Sequence, residues 1–173
     1  MKLRHLFFAC SGVFVMMFSL LLLVVIVFSD EEDGGSGGNL IYGGVSVSQE
    51  VLAHKPMLEK YAKEYGIEEY LNVLLAIIQV ESGGTLEDVM QSSESLGLPP
   101  NSLSTEESIK QGCKYFSELL AAAETKGCDL NSVIQSYNYG GGFLDYVAGR
   151  GKKYTFKLAE SFARDKSGGK KVT

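Results

Sequence analysis

One glutamate in this sequence stands where its carboxyl group could donate a proton in catalysis. Glu81 ends the apolar stretch EYLNVLLAIIQVE at residues 69–81, and Ser82, Gly83 and Gly84 follow it at once. Burial and the negative end of a helix dipole both disfavour a carboxylate, so both raise the pKa of this group. A carboxylic acid that stays protonated near neutral pH can protonate a glycosidic oxygen. The position therefore predicts a general acid, although it also fits a glutamate that frays into solvent at a helix end.

A second carboxylate follows close behind in the chain. Asp88 and Glu94 lie seven and thirteen residues beyond Glu81, in a stretch that could fold over a cleft. An inverting glycosidase needs a second carboxylate roughly 6.5–9.5 Å from the acid to activate water, and a retaining one needs it at about 5–5.5 Å. Either residue could serve, and either could instead be a solvated loop charge.

Metal and thiol chemistry find less support in the sequence. The two histidines, His5 and His54, have no second ligand at a useful spacing, so no metal or other cofactor is predicted. Neither Cys113 nor Cys128 has a histidine that the pattern places nearby, which argues against a cysteine nucleophile. If the helix that holds Cys113 runs to about residue 126, the two cysteines lie about 20 Å apart, beyond the ~7 Å limit for a disulfide. Free thiols are therefore expected.

The elements that must position these groups are mostly helices. Ser104 and Glu107 form an S-x-x-E capping box, after which apolar residues recur at helical spacing until Gly127. A further short helix, capped by Asn131 or Asp129, should stop at glycines 140–142. The helices are predicted at residues 55–65, 69–81, 105–126, about 131–139 and 155–164. The fold class is therefore mostly α with one buried central helix at 69–81, and only a weak strand alternation appears at 45–47.

The N-terminal segment predicts a transmembrane helix. Residues 6–28 form a run of 23 residues without a charge, which as a helix spans roughly 35 Å, enough to cross a bilayer. Basic residues precede the run and Asp30, Glu31, Glu32 and Asp33 follow it, so the N-terminus should be cytoplasmic and the rest of the chain outside the cell. The acidic residues after the run and its length favour an uncleaved anchor over a cleaved signal peptide.

Composition then divides the chain into five predicted parts. They are a cytoplasmic N-terminus at 1–5, the transmembrane helix at 6–28, an acidic and glycine-rich linker at 29–47, a catalytic domain at 48–165, and a basic tail or linker start at 166–173. Residues 34–149 carry 6 Lys and Arg against 15 Asp and Glu, whereas residues 150–173 carry 8 against 2. The basic end fits either a solvated terminus or contact with a polyanion such as teichoic acid or lipid headgroups. Nucleic acid is not an expected partner for an exported domain with an acidic main part.

Three motifs in order carry a family resemblance. QVESGG at 79–84, DVMQSSES at 88–95 and QSYNYGGG at 135–142 resemble the lysozyme-like fold shared by goose-type lysozymes and soluble lytic transglycosylases. From about residue 48 to residue 165 the chain is similar to the muramidase domain of membrane-anchored cell-wall hydrolases carried on integrative conjugative elements of Gram-positive bacteria. The stretch between Glu81 and Met90 lacks the Gly-Ala-x-Gly-Leu that transglycosylases carry before their Met-Gln motif.

The resemblance implies roles for individual residues. Glu81 would be the catalytic acid, and the hydroxyl of Tyr137 would approach the catalytic carboxyl. The second carboxylate, Asp88 or Glu94, comes from the spacing alone. The residues implied to bind the glycan are Ser82, Met90, Gln91, Ser92, Ser93, Tyr137, Asn138 and Gly140.

The function implied is that of an N-acetylmuramidase. Such an enzyme hydrolyses the β-1,4 bond between N-acetylmuramic acid and N-acetylglucosamine in peptidoglycan, here at the cell membrane and opening the wall locally for conjugative transfer, with conjugation-channel proteins as possible partners. One alternative is a lytic transglycosylase, which needs Glu81 alone and leaves anhydromuramic ends. A second alternative is a glycan-binding scaffold without catalysis, which a solvent-exposed Glu81 with an ordinary pKa would favour.

Overall fold

The computed structural model describes residues 40–42 and 45–167. The predicted cytoplasmic terminus at 1–5, the transmembrane helix at 6–28, and parts of the linker and of the basic tail lie outside the described residues. Among the helices that are described, none combines the length and the apolar character needed to cross a membrane. The chain divides into two compact units, one ending at Cys113 and the other beginning at Lys114.

The first unit opens with a small hairpin and two helices. Strands β1 (Leu40–Tyr42) and β2 (Val45–Val47) pair antiparallel, with Leu40 opposite Val47. The second strand coincides with the weak alternation at 45–47, and the first was not predicted. Helix α1 (Gln49–Ala53) was not predicted, and helix α2 (Lys55–Glu64) was. Pro56 lies in the first turn of α2, where its missing N–H costs no intrahelical hydrogen bond.

The predicted central helix forms the middle of this unit. Helix α3 (Leu71–Glu81) follows a short 3-10 turn at Glu68–Tyr70. Five consecutive residues, 74–78, are buried, so the helix is surrounded on all sides, as its apolar sequence predicts. A second 3-10 segment, Ser92–Leu96, follows in the loop after α3.

The long helix α4 (Thr105–Lys126) runs through the boundary between the two units and matches its predicted bounds. The glutamate half of the capping box is present, because Glu107 takes the hydrogen bond from the backbone of Ser104. Glu107 Oε2 accepts from the backbone N–H of Ser104 at 3.0 Å and from its hydroxyl at 2.6 Å. The two cysteines of the described residues are free thiols, with Cys113 buried on this helix and Cys128 beyond its end.

Three helices make up the rest of the second unit. They are α5 (Leu130–Tyr139), α6 (Gly142–Ala148) and α7 (Phe156–Lys166). Asp129 caps α5 by accepting a hydrogen bond from Ser132 N at 3.1 Å. The prediction that all three glycines at 140–142 stop a helix is wrong in part, because Gly140 ends α5 at φ +81° and Gly142 begins α6.

Candidate active site

Glu81 is the last residue of α3, and the turn after it is built to end the helix there. The backbone N–H groups of Ser82 and Gly83 both return to the carbonyl of Ile78 at 3.1 Å. Gly83 and Gly84 have φ of +62° and +78°, a conformation that residues with a side chain adopt at a cost. The buried helix therefore delivers one carboxyl group to its own C-terminal end.

The surroundings of Glu81 favour its protonated form. Burial, the largest cause, together with the negative charges of Glu94 and Asp88, raises the pKa of Glu81 from 4.5 to about 8. Loss of hydration penalises the charged state of an acid, and nearby like charges penalise it again. Glu81 is consequently a protonated acid at neutral pH, as its place in the sequence predicts.

The turn after Glu81 is held by the segment that precedes α2. The carbonyl oxygen of the Gln79 side chain accepts a hydrogen bond from Ser48 N at 2.7 Å. His54 Nε2 lies 2.9 Å from the carbonyl oxygen of Gly84. A Cβ on Gly84 would stand 2.7 Å from backbone atoms of Glu50 and Val51, so the two segments touch main chain to main chain. Nothing in the sequence indicates this contact, because a glycine after a helix is ordinary.

Asp88 is a fully buried carboxylate that holds its loop together. Its Oδ1 accepts hydrogen bonds from the Ser108 hydroxyl at 2.6 Å and from Ser92 N at 3.0 Å, and its Oδ2 accepts from Ser93 N at 3.3 Å. Its side chain has 0% exposure. The Ser108 hydroxyl also accepts from Met90 N at 2.9 Å, so one serine of α4 fixes two points of the loop.

Glu94, unlike Asp88, is not buried. It lies on the short 3-10 segment Ser92–Leu96 and is exposed to solvent. Its negative charge is nevertheless close enough to raise the pKa of Glu81, and it does so more than the charge of Asp88. Of the two candidate second carboxylates, Glu94 is therefore the one open to water.

Most of the residues implied to bind glycan in the first unit are buried or hydrogen-bonded within the protein. Met90, Ser92 and Ser93 are buried, and the hydroxyl of Ser92 donates to the carbonyl of Ser108 at 2.9 Å. Ser82 likewise donates to the carbonyl of Val89 at 2.7 Å. The hydroxyls of Ser82 and Ser92 therefore hold the loop in this conformation, whereas the buried Ser93 hydroxyl has no hydrogen-bond partner in the described structure. Contact of these residues with sugar stays a prediction.

Gln91 is partly exposed, and its side chain is held in place by hydrogen bonds. Its backbone adopts φ +47°, an uncommon conformation for a residue with a side chain and one often found at functional sites. Its Nε2 donates to the carbonyl of Asp88 at 2.7 Å and to Oδ1 of Asn101 at 2.8 Å. Both amide hydrogens are thereby used, and Oε1 remains to accept a hydrogen bond.

The second unit carries the remaining predicted residues. Tyr137 is buried on α5, with its ring centroid 5.5 Å from that of Tyr115 and 6.5 Å from that of Phe116. Asn138 has a buried Nδ2 without a hydrogen-bond partner in the described structure. No atom lies within 4 Å of a Cβ built on Gly140, so its φ of +81° is what calls for glycine there.

Sequence reasoning missed a buried amide next to these residues. Gln135 has 0% exposure, and neither polar atom of its side chain has a partner in the described part of the chain. It lies on α5 four residues after Asn131 and three before Asn138, so the three amides follow one stripe of the helix. The helical spacing of these three amides was the feature of the sequence that could have pointed to them. Buried amides without partners are rare and commonly bind internal water.

Among the described residues, no group of three or more His, Cys, Asp and Glu side chains is arranged to hold a metal ion.

Comparison with known proteins agrees with the fold. Residues 48–172 match the protein-family model described as lysozyme-like, so the chain belongs to the lysozyme-like family. It is 44% identical over 124 residues to the bifunctional muramidase/DL-endopeptidase CwlT of Bacillus subtilis, a match that covers 71% of this chain and 37% of CwlT. It is 39% identical over 117 residues to a pneumococcal vaccine antigen A homologue of Streptococcus pyogenes, covering 67% of this chain and 59% of that protein.

A solved structure is also similar. It is a lipoprotein-like protein of the NLP/P60 family from Staphylococcus aureus, with a TM-score of 0.72 and 75% sequence identity. The match covers 73% of this chain and 43% of that one. The chain thus spans less than two thirds of the length of each of these three relatives.

Proposed function

We propose that this chain is a peptidoglycan hydrolase that cleaves the β-1,4 bond after N-acetylmuramic acid, with Glu81 as the general acid. The observation that carries the proposal is the partly buried carboxyl at the end of α3, whose pKa of about 8 keeps it protonated at neutral pH. Protonation of the leaving glycosidic oxygen requires such an acid. Membership of the lysozyme-like family supports the same chemistry, and the raised pKa speaks against the scaffold alternative.

The second carboxylate in this proposal is Glu94. A general base must reach a water molecule, and Glu94 is exposed whereas Asp88 is sealed among hydrogen-bond donors. Glu94 would deprotonate the water that attacks the sugar as the glycosidic bond breaks, and Glu81 would give its proton to the departing oxygen. Asp88 would act indirectly, by holding the loop that carries Glu94.

Gln91 supplies a plausible contact for the amino sugar. Because both hydrogens of its amide are donated within the loop, it offers only its carbonyl oxygen to a ligand. The N–H of an N-acetyl group is a donor that matches this acceptor. Roles for Tyr137, Asn138 and Gly140 in glycan binding rest on the family resemblance.

Lytic transglycosylation is the second candidate function, and the hydrogen bonds of Asp88 support it. Because the Asp88 carboxylate already accepts hydrogen bonds within the loop, hydrolysis depends on Glu94 as the base, whereas transglycosylation needs only Glu81. The C6 hydroxyl of muramic acid would then attack in place of water. A membrane anchor at residues 6–28 and an extracellular domain belong to the proposal through the apolar run and the charges on either side of it. A role in opening the wall for conjugation, with channel proteins as partners, belongs to it through the family resemblance.

Mass spectrometry of muropeptides released from purified peptidoglycan tests the proposal. The expected products of the full chain end in a reducing N-acetylmuramic acid, and Glu81→Gln should release none while still binding peptidoglycan. Products one water lighter, with anhydro ends, would establish the transglycosylase instead. Absence of products from the unaltered chain, with binding retained, would overturn both enzymatic readings in favour of a scaffold.

A further inference from the structure

The part of the second unit that follows Gly149 is basic and exposed. Residues 150–167 contain six Lys and Arg against two acidic residues, and all six cationic side chains are exposed to solvent. They are Arg150, Lys152, Lys153, Lys157, Arg164 and Lys166. The chain from residue 34 to residue 149, by contrast, has a net charge of −9.

These cations are not neutralised by the protein itself. Of the six lysines in residues 45–149, five form ion pairs with carboxylates, namely Lys55, Lys60, Lys110, Lys114 and Lys126. Within the described structure, no ion pair involves any cation of residues 150–167. Their charge is therefore available to an external anion.

The loop between α6 and α7, which carries three of the six cations, is held in place by hydrogen bonds and a ring contact. The Asp129 carboxylate accepts from Tyr154 N at 3.0 Å, and Asp129 N donates to the Lys152 carbonyl at 3.2 Å. The Arg150 guanidinium lies 3.6 Å from the centroid of the Tyr146 ring and donates to the Tyr146 carbonyl at 3.1 Å. A loop fixed in this way loses little conformational entropy when it binds.

One exposed aromatic residue lies in the same stretch of the chain as these cations. Phe156 begins α7 between Lys153 and Lys157, and 53% of it is exposed. It is the most exposed large apolar side chain in the described residues, and the other three are leucines. An exposed aromatic ring beside several lysines is the composition of a surface that enters the interface of an anionic bilayer.

We propose that Arg150, Lys152, Lys153, Phe156 and Lys157 form a basic-aromatic surface that docks on a membrane rich in anionic phospholipid. The cations meet the headgroup phosphates, and the Phe156 ring enters the boundary between headgroups and acyl chains. A soluble polyanion would satisfy the same cations but would leave the ring in water, which is why a bilayer is the better partner. The acidic remainder of the exported chain is repelled by the same membrane, so this surface is the one that faces it. The proposal does not depend on the catalytic one.

Tryptophan fluorescence gives a direct test, because the chain contains no Trp. Phe156→Trp in the full chain places a single reporter on the surface, and nanodiscs with doxyl-labelled lipid quench a Trp that touches the bilayer. We expect quenching in discs that contain phosphatidylglycerol, little in discs of phosphatidylcholine alone, and loss at 1 M salt, where the screening length falls to about 3 Å. Leu86→Trp, at an exposed site in the first unit, should remain unquenched in both kinds of disc.

Charge-removal variants in the Phe156→Trp background distinguish docking by this surface from a general effect of the net charge of the protein. Changing Lys152, Lys153 and Lys157 to Gln should weaken docking roughly a hundredfold, at about fivefold per cation. Changing Lys55, Lys63 and Lys114 to Gln removes the same charge elsewhere and should leave the quenching intact. Equal quenching in neutral discs, none in anionic discs, or equal loss in both triple variants would overturn the proposal. A change in Trp emission with soluble polyglycerol phosphate in neutral discs would assign the surface to a wall polymer instead.

Discussion

The hydroxyl of Ser108 donates a 2.6 Å hydrogen bond to Oδ1 of Asp88, and both residues are fully buried. This bond joins the long helix α4 to the loop that contains Asp88, twenty residues earlier in the chain. The same hydroxyl accepts from Met90 N, and the other acceptor sites of Asp88 take backbone N–H groups of Ser92 and Ser93. A buried carboxylate with several donors is a fixed structural point, and Glu94 sits one residue beyond the last of them.

Ser108→Ala should destabilise the protein more than an ordinary serine substitution. It removes a hydrogen bond to a buried carboxylate and another from a backbone N–H, which together contribute about 2–3 kcal/mol to the free energy of unfolding. Urea unfolding measures the change. Ser117→Ala on the same helix, where the hydroxyl makes an exposed bond to the Lys114 carbonyl, is the matched control and should cost less than about 0.5 kcal/mol. Equal effects of the two substitutions would contradict the role given to Ser108.

The sequence could not reveal this role of Asp88. A carboxylate in a loop looks the same in sequence whether it meets water or buried donors, and here the decision lies with Ser108, which is distant in the chain. The spacing from Glu81 drew attention to both Asp88 and Glu94 and left their roles open. Only their burial, complete for Asp88 and absent for Glu94, distinguishes them.

Glu94→Gln and Asp88→Asn should both lose muramidase activity, for different reasons. Removal of a general base costs about 10²–10⁴-fold in rate, so Glu94→Gln should lose activity while its free energy of unfolding stays within about 0.5 kcal/mol. Asp88→Asn replaces an acceptor with an amide and should lose about 2 kcal/mol or more of stability as well. Release of reducing ends and urea unfolding, measured on the same samples, separate the two cases. Near-normal hydrolysis by Glu94→Gln would remove it as the second carboxylate.

The fold itself was more accessible to sequence reasoning than the site. The run of apolar residues in α3 can only be buried, and the Ser104–Glu107 box marks the start of α4, so both helices were predicted nearly to the residue. Helix α6 was missed because three consecutive glycines also describe a loop. Whether Gly142 starts a helix depends on the burial of Phe143, Leu144 and Val147 behind it, which is tertiary information.

Gly84→Ala should be unusually costly for a glycine substitution. An alanine at positive φ costs about 1–2 kcal/mol by itself, and at Gly84 the new Cβ would also stand 2.7 Å from the backbone of Glu50 and Val51. Gly66→Ala is the control, since Gly66 has φ +67° and no atom within 4 Å of the added carbon. The extra loss of stability at Gly84 in thermal unfolding measures the main-chain contact. If both variants melt at the same temperature, that contact contributes nothing.

The pH dependence of cleavage should report the protonation of Glu81. A general acid works in its protonated form, and the pKa of this group is about 8, so kcat/KM should fall above roughly that pH. Glu94→Asp, which keeps a negative charge, should preserve this alkaline limb. An alkaline limb that began near pH 5 would show that Glu81 has an ordinary pKa and would weaken its assignment as the acid.

The same pKa makes the stability of the protein depend on pH in a predictable direction. Burial raises the pKa of Glu81 from 4.5 in the unfolded chain to about 8 in the folded one. Below pH 4.5 both states are protonated. Between these values the unfolded state releases its proton first, so the folded state loses stability as pH rises, by up to about 1.4 kcal/mol per pH unit.

Glu81→Gln removes that dependence, so its advantage over the unaltered protein should grow from pH 4.5 to pH 8 and then level off. Urea unfolding of both proteins at half-unit steps of pH measures the difference, and Glu87→Gln, which removes an exposed carboxylate from the same loop, controls for the loss of one charge. A difference between Glu81→Gln and the unaltered protein that stays constant across this range would mean that water reaches the carboxyl freely. Glu81 would then lack the environment on which its proposed role as an acid rests.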